Sequence, residues 1–215
     1  MARLRRTDVI GAAIGFIDER GVEALSMRRL GTTLGVEAMA LYRHVPGRAQ
    51  LLAAVVDELF DELFDSSLMK MEANSWEAYL QHVAHALRNL ALDHPRIFPL
   101  VAEQPPEGPW LRPPLRSAKW VDHFLRSLDG FGFSDDHAVA AYKAFTSFLL
   151  GDLLLEAKTH VDSQDTVAQT ENGEISDLHE YPAIERLHEK LTADESEREF
   201  ADGLDDLIER ISSMR

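Results

Sequence analysis

The sequence predicts an all-α protein of about nine helices, in which a small tri-helical head precedes a larger helical body. Three observations predict it. Apolar residues recur three and four positions apart in nearly every long segment, no segment alternates convincingly at period two, and glycine or proline falls where one periodic stretch gives way to the next.

The first helix is expected over Thr7 to Arg20, with Ile10, Ile14 and Ile17 along one face and Gly21 as its stop. Gly11 and Gly15 share a face of it; the pair either weakens the helix, by about 1 kcal/mol per glycine, or admits close packing of another helix. Ser26, an N-cap residue type, opens a second helix that closes at Gly35, and a third covers about Glu37 to His44 before Pro46 and Gly47 end it. A long fourth helix starts at Arg48 and carries its apolar residues from Leu51 to Leu63.

From Trp76 to about Asp93 the apolar positions Trp76, Tyr79, Leu80, Val83, Leu87 and Leu90 keep the register of one helix face. Pro95 and Pro99 bracket a short segment, and five of the nine prolines fall between Pro105 and Pro114, which predicts a loop with Trp110 at its middle. Leu115 to Leu128 reads as helix, and Ser134 caps a helix from Asp135 to about Lys158 that is apolar nearly all round. His160 to Glu180 is polar and acidic and is expected to lack fixed structure. A last helix, about Asp194 to Ser213, carries Phe200, Leu204, Leu207, Ile208 and Ile211 on one stripe.

A chain of 215 residues holds one large domain or a small one joined to a larger, and the pattern favours a head at 1–47 and a body at 48–215. No uninterrupted apolar run approaches the ~18 residues that span a bilayer, so no membrane partner is expected. The basic start lacks the apolar run and cleavage site of a secretory signal. Cysteine is absent, which excludes disulfides and thiolate metal sites and fits a reducing cytoplasm. The net charge of −15 argues against a polyanionic partner until it is divided along the chain. Residues 1–47 carry seven Arg against five acids, net +2, which leaves −17 on the rest. Such polarity turns the head toward a polyanion and the body away from it.

Two short helices joined through Gly35 and braced by a third make the tri-helical form of helix-turn-helix. Gly35 supplies the tight turn, and Leu30, Leu34, Val36 and Leu41 bury the angle between the helices. The start of the second short helix is thereby free to enter a major groove about 12 Å wide. The run Gly21-Val22-Glu23-Ala24-Leu25-Ser26-Met27-Arg28-Arg29-Leu30, then Leu34-Gly35-Val36, then Ala40-Leu41-Tyr42-Arg43-His44-Val45, resembles the DNA-binding domain of the tetracycline-repressor (TetR) family of transcriptional regulators. The resemblance covers about Thr7 to Phe64.

The resemblance implies that Ser26, Tyr42 and Arg48 touch the phosphate backbone, and that Arg28 and the exposed start of the recognition helix, Glu37, Ala38 and Met39, reach bases; Met27 belongs to the same contact region. His44 resembles the branch typified by the tetracycline repressor, where a histidine here also meets the backbone. Arg29 and Arg43 are open between phosphate contacts and solvated charges. Glu37 either accepts from a cytosine amino group or, as we favour, complements the helix dipole. Gly31 departs from the alanine usual in the family, and Arg48 from the usual lysine.

One recognition helix covers only a few base pairs, so the fold is expected to act as a homodimer on a palindromic operator in double-stranded DNA. The apolar helix from Asp135 and the last helix are the expected interface, through Phe148, Leu154, Leu155, Phe200, Leu204, Leu207, Ile208 and Ile211. The remaining helices are expected to enclose a pocket for a largely apolar or aromatic small-molecule effector. Phe60 and Phe64 on the fourth helix, Tyr79, His82 and Val83 on the next, and Phe98 and Val101 beyond it are candidate lining residues. Trp110, Trp120, Phe124, Phe145 and Phe148 complete the set. No cofactor is expected, and His82 and His85 could meet a metal only with His94 or His123 brought beside them. An enzyme and a protein-interaction module on the same body are the alternatives; no nucleophile, phosphate loop or metal signature supports the first, and Ser26, Arg28, Tyr42 and Arg48 argue against the second.

Overall fold

The computed structural model describes residues 4–105, 107, 112, 117–167 and 181–214, and it is helical throughout, with no strand among them. The head comprises α1 (Arg6–Arg20), a 3-10 turn at Val22–Ala24, α2 (Met27–Leu34) and α3 (Ala38–Leu41). The body follows as α4 (Arg48–Asp65), α5 (Ser67–Lys70), α6 (Trp76–Asp93), α7 (Leu100–Glu103), α8 (Ala118–Gly130), α9 (Asp135–Val167), α10 (Pro182–Thr192) and α11 (Ser196–Ser212). One buried apolar cluster runs from Val9 in α1 to Ile211 in α11. The join is α4, whose Leu51 and Val55 are fully buried and which packs on α1 on one side and on α6 and α7 on the other.

Local chemistry sets the ends. Serine hydroxyls cap the orphan amides of α2 (Ser26, from Arg29 N, 3.2 Å), α6 (Ser75, from Ala78 N, 3.2 Å) and α8 (Ser117, from Trp120 N, 3.1 Å). The last of these moves the start of α8 to Ala118, later than the expected Leu115. Helix α9 reaches Val167, so the expected loss of structure from His160 onward is corrected as far as that residue. An established helix extends without a new nucleation cost, and Lys158 pairs with Asp162 one turn on at 2.9 Å. Residues 168–180 and Trp110 lie outside the described residues. Gly11 and Gly15 are exposed, and a β-carbon at either would meet nothing within 4 Å, so no helix among the described residues packs on that face. By length and composition Asp135–Ser163 could cross a membrane, but here it packs against α6, α8 and α11.

Candidate nucleic-acid interface and effector chamber

The head is built around Leu30 and Leu41, both fully buried between α1, α2 and α3. Gly35 ends α2 at φ +66°, a left-handed conformation that suits glycine, and the amide of Val36 donates back to the Gly31 carbonyl at 2.9 Å. The chain therefore turns sharply into α3, which seals Leu41 inward and turns Met39 (73% exposed) and Tyr42 (44% exposed) outward. Ala38 and His44 are half-buried beside them, and Glu37 is exposed at the N-cap without a capping hydrogen bond.

Of the residues expected at the DNA, Arg28, Glu37, Met39 and Tyr42 are exposed, and Ser26 sits at the open end of α2. Met27 is a correction: its side chain is buried in the head core, because the first turn of α2 rolls that face onto α1. The Arg48 guanidinium donates to the carbonyls of Leu25 (3.1 Å) and Val22 (2.9 Å), which ties the start of α4 to the turn before α2. Arg29 donates to the Ala24 carbonyl at 3.0 Å, so both arginines brace the loop that presents Ser26. Arg5 and Asp8 pair at 2.8 Å at the start of α1, and the hydrogen bond from Arg5 holds the Asp8 carboxyl below its ordinary range.

In the body, α4, α6, α7, α8 and α9 meet around an apolar cavity of about 30 Å³. Of the candidate lining residues, Phe60, Phe98, Val101, Trp120 and Phe145 reach its wall. Leu87 and the α9 stripe Thr146, Leu149, Leu150 and Leu153 join them and were not anticipated. That stripe has the i, i+3, i+4, i+7 spacing of one helix face, and Thr146, the single polar residue on it, was the available signal. Thr146 is buried and is the one polar aliphatic side chain among the described residues of the wall. Burial raises the Tyr142 phenol beside it, and a hydrogen bond with Thr146 works against that rise.

Several expected lining residues lie elsewhere. Phe124 stacks behind Phe145 at 5.3 Å, and Phe64 packs on Trp120 at 6.0 Å and edge-on to His123 at 5.2 Å. Tyr79 is buried in the same aromatic layer, where desolvation pushes its phenol up to about 12. Val83 is core, His82 is half-buried off the wall, and Phe148 faces α11. The histidines do not converge: His85 packs on Phe200 (5.6 Å) and His94 bonds Asp18 (2.9 Å).

An open groove of about 770 Å³ runs between α9 and α11, with Ala140, Ala144 and Phe148 on one side and Leu207 and Arg210 on the other. The expectation that the whole stripe of α11 faces a second subunit is corrected. Phe200, Leu204, Leu207 and Ile211 are buried within the protomer, because the stripe already has α6 and α9 to cover. Gly203 lets that packing close, since a β-carbon there would stand 3.0 Å from the Phe148 ring. Leu155 is 69% exposed, and Phe148, Leu154 and Ile208 are half-buried.

A head that offers one short helix outward, joined through α4 to a chamber of apolar rings, defines a helix-turn-helix regulator with a sensory body. Two family profiles agree: Bacterial regulatory proteins, tetR family, over residues 9–55, and Tetracyclin repressor-like, C-terminal domain, over residues 68–215. The chain belongs to the TetR family and is a ligand-responsive transcriptional regulator. Members of this family are regulators rather than enzymes. The chain is 30% identical over 208 residues to the class D tetracycline repressor protein of Escherichia coli, which spans 97% of this chain and 89% of that one. Its fold matches the crystal structure of TetR from Acinetobacter baumannii AYE with a TM-score of 0.74 at 25% identity, over 99% of both chains. It also matches ActR of Streptomyces coelicolor in complex with (S)-DNPA, with a TM-score of 0.72 at 23% identity over 100% of both, a likeness of fold alone.

Proposed function

We propose that the chain is a cytoplasmic repressor that binds a palindromic operator as a homodimer and leaves it when a largely apolar or aromatic small molecule enters the chamber. The observation that carries this reading is the outward presentation of Met39 and Tyr42 over a sealed Leu41. Met39 and Ala38 meet base edges by apolar contact, with Arg28 reaching a base from α2. Tyr42, His44 and the Ser26 end of α2 meet phosphates. Arg48 serves the same contact mainly by fixing the Leu25 turn, to which its guanidinium is bonded. The groove between α9 and α11, with Phe148, Leu154, Leu155 and Ile208, receives the second subunit.

The chamber supports the effector class. Among the described residues its wall is apolar apart from Thr146, and 30 Å³ is about the room of one water, so a larger molecule enters only by displacing rings. Release then follows if the expanded form spaces the two heads wrongly, bounded by the effector's differential affinity for the two forms.

Selection of duplex fragments bound by the full-length protein tests the reading. A palindromic site is expected, bound with steep salt dependence and lost in Arg28→Ala/Tyr42→Ala, by a species sedimenting near twice 24.2 kDa. Enrichment of no duplex, or binding indifferent to both substitutions, would remove it.

A further inference from the structure

His94 occupies the end of α6 and bonds in three directions. Its amide donates to Leu90 within α6 (3.0 Å). Its carbonyl accepts from Ile97 (3.0 Å) and Phe98 (2.9 Å), which fixes the turn that carries Phe98 into the chamber wall. Its ring reaches back to the head, with Nδ1 2.9 Å from Asp18 Oδ2 of α1, while Nε2 lies 3.6 Å from Glu62 Oε2 of α4. The Asp18 carboxylate depends on this bond, since its other oxygen is buried without a hydrogen-bond partner among the described residues.

We infer that His94 is the positioning residue that couples the chamber to the DNA-binding head, its backbone holding Phe98 and its ring holding Asp18. The inference rests on the repressor reading and deepens it by naming the route of release. Phe98 is almost fully buried against a cavity too small for an effector, so a molecule that enters displaces it. The two backbone bonds pass that displacement to His94, and the imidazole passes it to α1, on which α2 packs and, through α2, the recognition helix α3 rests. The closed chamber and the formed His94–Asp18 contact are thus one state, the one that holds operator.

Electrostatics reinforces the contact. The Asp18 hydrogen bond raises the imidazole above its ordinary value, burial opposes this, and the charges of Asp18, Glu62 and Asp93 add to the rise. The ring therefore faces acids from α1, α4 and its own helix, and Arg96 follows two residues later. The charged form of the contact is complete below the ordinary histidine value and fades as pH rises through the raised one.

The test uses the full chain and a duplex recovered by selection with the wild type. Phe98→Trp stands in for an occupied chamber. In the wild-type background it is expected to weaken duplex binding at least tenfold. With the contact severed without a stranded charge, as Asp18→Asn/His94→Ala, the same step is expected to fall below threefold. Equal steps in the two backgrounds, or a folded Phe98→Trp protein that binds unchanged, overturns the inference. Should Phe98→Trp fail to fold, Asp18→Asn alone decides, because it keeps the acceptor and loses the charge. Its Kd ratio to wild type must be at least threefold larger at pH 6 than at pH 8.5, and a constant ratio overturns the proposal. Failure of the repressor reading looks different, since the wild type would then enrich no duplex.

Discussion

Gly31 and Val36 approach so closely across the helix-turn-helix corner that a β-carbon on Gly31 would stand 2.8 Å from the Val36 carbonyl oxygen and 3.3 Å from the Ala38 amide. Both neighbours are backbone, so neither yields by a rotamer change. In Gly31→Ala the gain in helix propensity, about 1 kcal/mol, is opposed by an overpacking cost of about 1–3 kcal/mol. The expected outcome in urea denaturation is a net loss of up to ~2 kcal/mol, together with weaker duplex binding as α3 is pushed off α2. A more stable protein with unchanged binding would show that the corner relaxes freely.

Met39 and Tyr42 are exposed and separable in role. Tyr42→Phe removes only the hydroxyl and is expected to weaken binding by about 1 kcal/mol for all duplex sequences alike, as loss of a phosphate contact does. Met39→Ala is expected to flatten the preference at one or two base positions, read by repeating the selection. Thermal midpoints of both variants should stay within the range of ordinary surface substitutions, about ±0.5 kcal/mol.

Arg88 of α6 grips Glu156 of α9 through two bonds, 2.6 and 3.0 Å, with both side chains largely buried and the guanidinium 5.4 Å over the Phe200 ring of α11. Burial and the nearby Glu156 raise the Asp152 carboxyl next to the pair. Removing one partner strands a buried charge, so Glu156→Ala should cost about 3 kcal/mol in unfolding free energy at fixed protein concentration. Arg88→Met/Glu156→Met should recover most of that loss, because apolar groups of similar size replace a pair whose desolvation offsets its attraction. A double variant as weak as the single would contradict this account.

Two histidines give opposite pH signatures. Burial against Phe64 lowers the His123 imidazole, with Asp122 opposing, so protonation favours the unfolded chain and stability falls as pH drops through the ordinary value of about 6.5. His94 is raised, so its contribution is present at low pH and lost on the alkaline side. His123→Gln should therefore gain in melting temperature relative to wild type at pH 5 compared with pH 7.5, and His94→Gln should lose. The same sign for both would refute the assignment of causes.

Much of the architecture was readable before any coordinates, because it rests on local signals. The helix expected from Trp76 to about Asp93 is α6, since Ser75 caps one end and His94 and Pro95 close the other. The corner at Gly35 followed from glycine's access to the left-handed region. What failed depends on which surface covers which. The α11 stripe reads identically whether it meets its own α9 or a partner's, and only three-dimensional packing assigned Phe200 and Leu204 to the protomer. Met27 looked available for the same reason. Helix α10 went unread although Ile184, Leu187 and Leu191 keep helical spacing, because the acidic, polar run before it masked the proline that starts it. Asp18 and His94 are 76 positions apart, and no periodicity links them.

The chamber filled by its own rings has a consequence for signalling. A receptor with a wide standing void accepts whatever small solute drifts in, whereas one whose cavity has room for about one water would answer only to a compound able to pry phenylalanine, tryptophan and leucine side chains apart. On the proposed function, background metabolites that are small, charged or weakly adhesive would leave transcription untouched, so that tight packing would set the threshold of the response as much as recognition does.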